Sequence, residues 1–215
     1  MKFKLDFSAI MALIHLTFVL SLVCFGTVFL TLGILAIPAL TAAFLIGKDV
    51  IYRRFDVNDG LFKRFFSEMR SEMRMMKYFP LQLLIMMQAA GIYAAERTGM
   101  TFLMYPMLIC VAFCLTLIVY IIACHIFYQE KPSIINVIIT MLYRIQYFLI
   151  VWILMLLAVL FFGTVMMGVL LIAGTILLLA VEVVTFLGII SFKKLRNELT
   201  DEEKEYFNDE LLSKL

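Results

Sequence analysis

The sequence predicts an all-α fold: a polytopic transmembrane bundle of about six membrane segments, with a cytoplasmic amphipathic helix and a short helical tail. Hydrophobic residues make up 64% of the 215 residues, against roughly 45–50% in soluble domains, and the mean hydropathy is +1.04. A membrane span needs about 20 mostly apolar residues. Apolar runs of roughly that length or longer occur near 7–37, 80–95, 100–127 and 145–191, and Lys and Arg lie almost entirely between and beyond them.

The first apolar segment, over about 7–35, follows Lys2 and Lys4 and so resembles the start of a signal peptide. Its apolar stretch is longer than the 7–15 residues of a signal-peptide core, and no small-residue cleavage pattern ends it. We therefore expect a retained first transmembrane helix.

Pro38 marks a helix break after this segment, because the residue before a proline disfavours the helical conformation. The proline then lies near the first turn of a second segment, where its missing N–H is not needed. Pro38 to Ile51 is 14 residues, about 21 Å at 1.5 Å per residue. That is short for a span. The segment either extends at both ends to cross the membrane, which we favour, or is re-entrant, which leaves five membrane segments.

A basic amphipathic helix is predicted over 58–78, with Asn58 and Asp59 as cap residues. Aromatic and methionine side chains recur there at helical spacing, and basic residues lie between them. Such a helix suits the lipid headgroup layer or contact with a partner; the simpler interpretation is packing on the inner leaflet and on its own bundle. The residues assigned to partner or membrane contact are Phe62, Phe65, Phe66, Met69, Arg70, Met73 and Arg74.

Four further spans complete the predicted membrane domain, 1–192. They cover 79–95, 100–127, 134–160 and a last helix ending near 191, with turns at 96–99 and at Gly163 and Thr164. The tail, 193–215, is expected to be a cytoplasmic helical segment. Thr200 followed by Glu203 predicts a capping box at its start.

The positive charges predict the orientation. Of the 18 Lys and Arg residues, six passes place only Arg97 in an outer turn, which leaves 17 inside. Cytoplasmic loops of membrane proteins are enriched in Lys and Arg. Both termini are therefore predicted to be cytoplasmic; a re-entrant second segment would move the N-terminus outside but keep the basic amphipathic helix inside.

Glu182 and Arg144 are the candidate intramembrane ion pair. Each is 19 residues from Gly163, so two antiparallel helices turning there would place both side chains at the same depth, about 28 Å from the turn. An ionisable residue inside a membrane is by default a functional hypothesis. The alternative, which we favour, is a structural pair that fixes the hairpin, because transporters usually place such charges nearer the midplane.

No catalytic or ligand-binding motif is present: the sequence has no phosphate-binding loop, no His-Glu-x-x-His and no Gly-x-Ser-x-Gly. All four cysteines fall in apolar runs, where a thiol behaves as a small hydrophobe. We therefore predict no enzyme activity, no metal and no cofactor. The net charge of +2 gives no nucleic-acid signal, and the predicted environment is a lipid bilayer.

Three stretches, 33–43, 52–54 and 62–66, together resemble the YesL family of small bacterial membrane proteins, which carry a domain of unknown function. The likeness is a proline-threonine-alanine turn after the first helix and then an aromatic-basic helix. The chain departs from the family pattern at 71–74, where Ser-Glu-Met-Arg stands in place of a frequent asparagine-phenylalanine pair.

The resemblance implies the cell membrane of a Gram-positive bacterium and an association with carbohydrate ABC importers. We therefore expect an accessory membrane subunit that contacts the permease or ATPase subunits of such an importer. Two alternatives stay open: an autonomous small-solute transporter or channel, or a membrane regulator of a sugar-responsive sensor kinase.

Overall fold

The computed structural model describes residues 7–51, 60–128, 134–162, 167–200 and 203–204. Every regular element in these ranges is a helix. The chain forms two compact units: Met1–Lys77 with Met166–Leu179, and Tyr78–Val165 with Ala180–Leu215. Each unit is described by itself.

In the first unit, helices α1 (Phe7–Leu30) and α2 (Ala36–Ile51) pack against each other. The chain turns at 31–35, where Leu32 and Gly33 both have positive φ. α1 therefore ends five residues earlier than predicted. Pro38 is buried and is the third residue of α2, within the first turn, where helices tolerate proline because the N–H would be unsatisfied.

Helix α3 (Leu61–Ser71) packs against α2, and a 3-10 helix (Glu72–Tyr78) follows it directly. The predicted caps Asn58 and Asp59 lie outside the described residues; α3 begins after Gly60. Small side chains on α2 allow the helix backbones to approach closely. The core of this unit contains Leu16, Leu20, Val23, Cys24, Ala39, Ala42, Ala43, Ile46, Leu61 and Phe65.

In the second unit, α4 (Phe79–Arg97) and α5 (Thr101–Tyr128) form a helical hairpin. Their connection is the predicted turn, and Gly99 adopts the left-handed φ of 73° that glycine accommodates without steric cost. Its N–H bonds to the Glu96 carbonyl at 3.3 Å. The hairpin bounds lie within two residues of the prediction.

The predicted straight helix over 134–160 is wrong. The structure has α6 (Ile134–Tyr143) and α7 (Ile145–Phe162), bent by 100° at Arg144. The Arg144 carbonyl accepts hydrogen bonds from the Tyr147 and Phe148 N–H groups at 3.0 and 3.2 Å, which close the first turn of α7. Both helices pack against α5.

Helix α8 (Met167–Leu195) extends four residues beyond the predicted end. It stops where Asn197 takes a positive φ of 55°, a conformation common just after helix ends. Within the second unit, Phe186 packs edge-to-face on Phe127 of α5 with ring centroids 4.9 Å apart, and Phe192 packs on Tyr143 of α6. The part of α8 from Ala180 onward therefore packs against α5 and α6.

Among the described residues, three helical stretches are long and apolar enough to cross a membrane: Leu61–Arg97, Thr101–Tyr128 and Ile176–Leu195. The bent pair of α6 and α7 makes a fourth if it is one span. These helices fit a membrane protein. The count of six stays a prediction, since it also needs α1 and the 16-residue α2 to cross.

A larger side chain at Gly188 would test the packing of α8. A Cβ atom there would lie 3.1 Å from the Cβ of Tyr147 on α7, closer than side chains normally pack. Gly188→Leu is expected to lower the thermal unfolding midpoint in detergent, because overpacking costs about 1–3 kcal/mol. Gly26→Leu is the matched control, since a Cβ at Gly26 meets nothing within 4 Å. Equal midpoints for the two variants would contradict the packing of α8 on α7.

Candidate functional site

The amphipathic segment presents two different sides. Phe65 is 0% exposed, and Met69 packs against the same core. These two residues, predicted to contact a partner or the membrane, instead lie in the core that α1, α2 and α3 share, and α3 packs against α2. Glu72 and Met75 of the 3-10 helix are also buried.

The other side is solvent-accessible in the structure. Phe62 is 58% exposed and Phe66 47%, and Met73 is also exposed. Basic side chains lie between them. We call this surface the basic aromatic face: Phe62, Lys63, Phe66, Arg70, Met73 and Arg74. Five of the seven residues predicted for partner or membrane contact lie on it.

Two ion pairs that the sequence analysis missed lie in this unit. Arg64 of α3 pairs with Asp49 of α2, which joins the two helices. Arg74 donates to Glu72 from Nε at 3.1 Å and from Nη2 at 3.0 Å. Asp49 is the only acidic residue in α2. Its position near the end of that helix is the sequence feature that could have indicated the pair with Arg64.

The structure does not bring Glu182 and Arg144 together. Arg144 lies at the bend between α6 and α7, and its Nη2 donates to the Ser191 carbonyl of α8 at 3.3 Å. Ser191 is nine residues beyond Glu182, about 13 Å along a helix. The prediction assumed two straight helices turning at Gly163. The bend lies at Arg144 itself, and α7 continues unbroken from Ile145 to Phe162; Gly163, where the prediction placed the turn, lies outside the described residues.

Glu182 is 5% exposed, and its Oε1 has no hydrogen-bond partner among the described residues. Burying a polar group without a partner is costly, so each such group needs an explanation. Other buried polar atoms of the second unit share this condition within the described part of the chain: Gln88 Oε1, Tyr120 OH, Tyr128 OH, Arg144 Nε and Trp152 Nε1.

A buried ion pair at the end of α8 was also missed. Lys193 Nζ lies 2.6 and 2.7 Å from the two carboxylate oxygens of Glu203, and both side chains are buried. Lys193 also lies over the Tyr128 ring of α5. The predicted tail therefore begins with a residue enclosed by the protein. We call Lys193 and Glu203 the tail clasp.

The predicted capping box at Thr200 is confirmed. The Thr200 N–H donates to Glu203 Oε2 at 2.9 Å, and the Glu203 N–H donates to Thr200 Oγ1 at 3.3 Å. One Glu203 carboxylate thus serves both the cap and Lys193. The sequence revealed the cap because its spacing is local; the partner ten residues away had no such signature.

No group of three or more His, Cys, Asp or Glu side chains in the described part of the chain is placed to hold a metal ion. Cys24, Cys114 and Cys124 are buried free thiols, and Cys110 is an exposed one.

Searches with the sequence and with the structure found no matching family model, curated protein or solved structure. The resemblance to the YesL family therefore rests on the residues quoted above and stays a prediction.

Phe65 and Phe62 test the two sides of α3. Phe65→Ala is expected to destabilise the protein by about 3–5 kcal/mol, because it opens a cavity in the core. Phe62→Ala is the matched control and should change the stability by far less, since its ring lies on the exposed side. Denaturant or thermal unfolding in mild detergent measures both. A loss of stability in Phe62→Ala as large as that in Phe65→Ala would contradict the assignment of Phe65 to the buried side and Phe62 to the exposed side.

The tail clasp makes a second prediction. Glu203→Gln leaves the Lys193 charge buried without its partner, which costs about 3–5 kcal/mol, so the thermal unfolding midpoint should fall. Glu198→Gln is the control: its pair with Arg196 has side chains 38% and 54% exposed, and such surface pairs contribute less than about 1 kcal/mol. The double variant Lys193→Met with Glu203→Gln should recover part of the loss. Equal effects of Glu203→Gln and Glu198→Gln would show that the clasp contributes nothing to stability.

Proposed function

We propose that this chain is a non-enzymatic accessory membrane subunit of a bacterial carbohydrate ABC import system. The observation that carries the proposal is the basic aromatic face, which stays exposed although Phe65 on the opposite side of the same helix is fully buried. The resemblance to the YesL family supports the choice of partner, namely the permease or ATPase subunits of the importer.

The proposed topology makes this face cytoplasmic. Six passes, formed by α1, α2, α4, α5, the α6–α7 pair and α8, place both termini inside and leave 17 of the 18 Lys and Arg residues on that side. The resemblance to the YesL family implies that the host membrane is the cell membrane of a Gram-positive bacterium. ATPase subunits and the inner surfaces of permeases are reachable from this position.

The composition of the face supports a protein partner. Phe62, Phe66 and Met73 supply exposed apolar area, and Arg70 and Arg74 are exposed beside them. Aromatic residues, Met and Arg are the residue types enriched in protein interfaces, and Arg and aromatic side chains often dominate binding energy. Arg74 is held at its position by Glu72, so its guanidinium is already oriented.

A second candidate function is an autonomous small-solute transporter or channel. Glu182, buried in an apolar helix without a partner for Oε1, favours it, because such residues commonly mark ion or substrate paths. A membrane regulator of a sugar-responsive sensor kinase would use the same face as the accessory subunit. The identity of the bound partner separates these functions.

Co-purification from the native host in mild detergent, followed by mass spectrometry, tests the proposal. We expect permease or ATPase subunits to accompany the natural chain and to be lost with Phe62→Ala, Phe66→Ala and Arg70→Ala combined. Phe102→Ala is the control, because Phe102 is 71% exposed but lies at the start of α5, on the proposed outer side. Recovery of the natural chain as a lone species would contradict the accessory role.

A further inference from the structure

We propose that Glu182 is a reversible proton-binding site inside the membrane, where its carboxyl group is held in the neutral, protonated form until a partner or solute approaches it. This inference is independent of the accessory role. It concerns the second unit alone and requires nothing of the basic aromatic face.

The first support is the surroundings of the side chain. Glu182 lies in Ile176–Leu195, a helical stretch apolar enough to cross a membrane, and its side chain is buried inside the protein. An isolated carboxylate in such surroundings is far more costly than a neutral carboxyl group, so it takes up a proton.

The second support is that the nearby cations are used elsewhere. Arg144 donates to the Ser191 carbonyl, and Lys193 is bound by both oxygens of Glu203. Among the described residues, no ion pair reaches Glu182. The titratable and charged groups on the helices that pack against this part of α8 are Tyr120, Cys124, His125 and Tyr128 of α5, Tyr143 of α6, Arg144 at the bend, and Tyr147 of α7.

The third support is a comparison within the same unit. Glu203 and Glu182 are both 5% exposed, but only Glu203 has a cationic partner. Of these two buried glutamates of the second unit, Glu203 has a compensating cation among the described residues and Glu182 has none. A protonated carboxyl retains a donor and an acceptor, so Glu182 is able to exchange its proton with a ligand or release it when a cation arrives.

Infrared spectroscopy of the protein reconstituted in lipid at neutral pH tests the proposal. We expect the C=O absorption of a protonated carboxyl group that is lost in Glu182→Gln and kept in Glu203→Gln. The band should shift on transfer to heavy water, because the proton exchanges. No band that depends on Glu182, or a band that never shifts, would overturn the proposal.

Dicyclohexylcarbodiimide labelling of the natural chain gives a second measurement that needs no variant. The carboxyl proton moves to a carbodiimide nitrogen, the carboxylate oxygen bonds to the central carbon, and the acyl group then migrates to nitrogen, which leaves a stable acylurea. Peptide mass spectrometry should find the adduct on Glu182 and not on Glu203, with less adduct as the pH rises. An adduct on Glu203 but not on Glu182 would reverse the assignment.

Discussion

The absence of water around the apolar helices is the constraint on which the rest of the structure depends. In a hydrocarbon environment every backbone N–H and C=O must be bonded inside the protein, so spanning segments are helical. The described part of the chain follows this constraint: all of its regular structure is helical, backbone hydrogen bonds run through the 31–35 turn and the Gly99 turn, and the Arg144 carbonyl is bonded at the bend.

The same constraint explains which charged residues need a partner of opposite charge. At the ends of helices, charges find partners: Arg64 with Asp49, Arg74 with Glu72, and Lys193 with Glu203. Glu182, within an apolar helix, has no such partner in the part of the chain that the structure describes. The paired charges stabilise the fold, whereas the fold alone does not explain the position of Glu182.

Local patterns were predictable from the sequence, and relations between distant segments were not. The bounds of α4 and α5 and the Thr200 cap follow from apolar runs and residue spacing. The sequence could not predict that Phe65 is buried and Phe66 exposed. Both sides of α3 carry aromatic residues, and the pattern does not indicate which side packs against α2. The bend at Arg144 could not be predicted either, since one polar residue in an apolar run predicts no angle. The expected Glu182–Arg144 pair depended on a turn at Gly163 with equal helix lengths on both sides.

The burial of the tail clasp has a consequence for ionic strength. Salt screens charges that water reaches, over about 10 Å at 0.1 M, and screens buried pairs much less. The bond between Lys193 and Glu203 is therefore insulated from changes in salt concentration, whereas the exposed cations of the basic aromatic face are not. A rise in ionic strength would weaken the electrostatic attraction of the basic aromatic face for opposite charges and leave the bond between Lys193 and Glu203 unchanged.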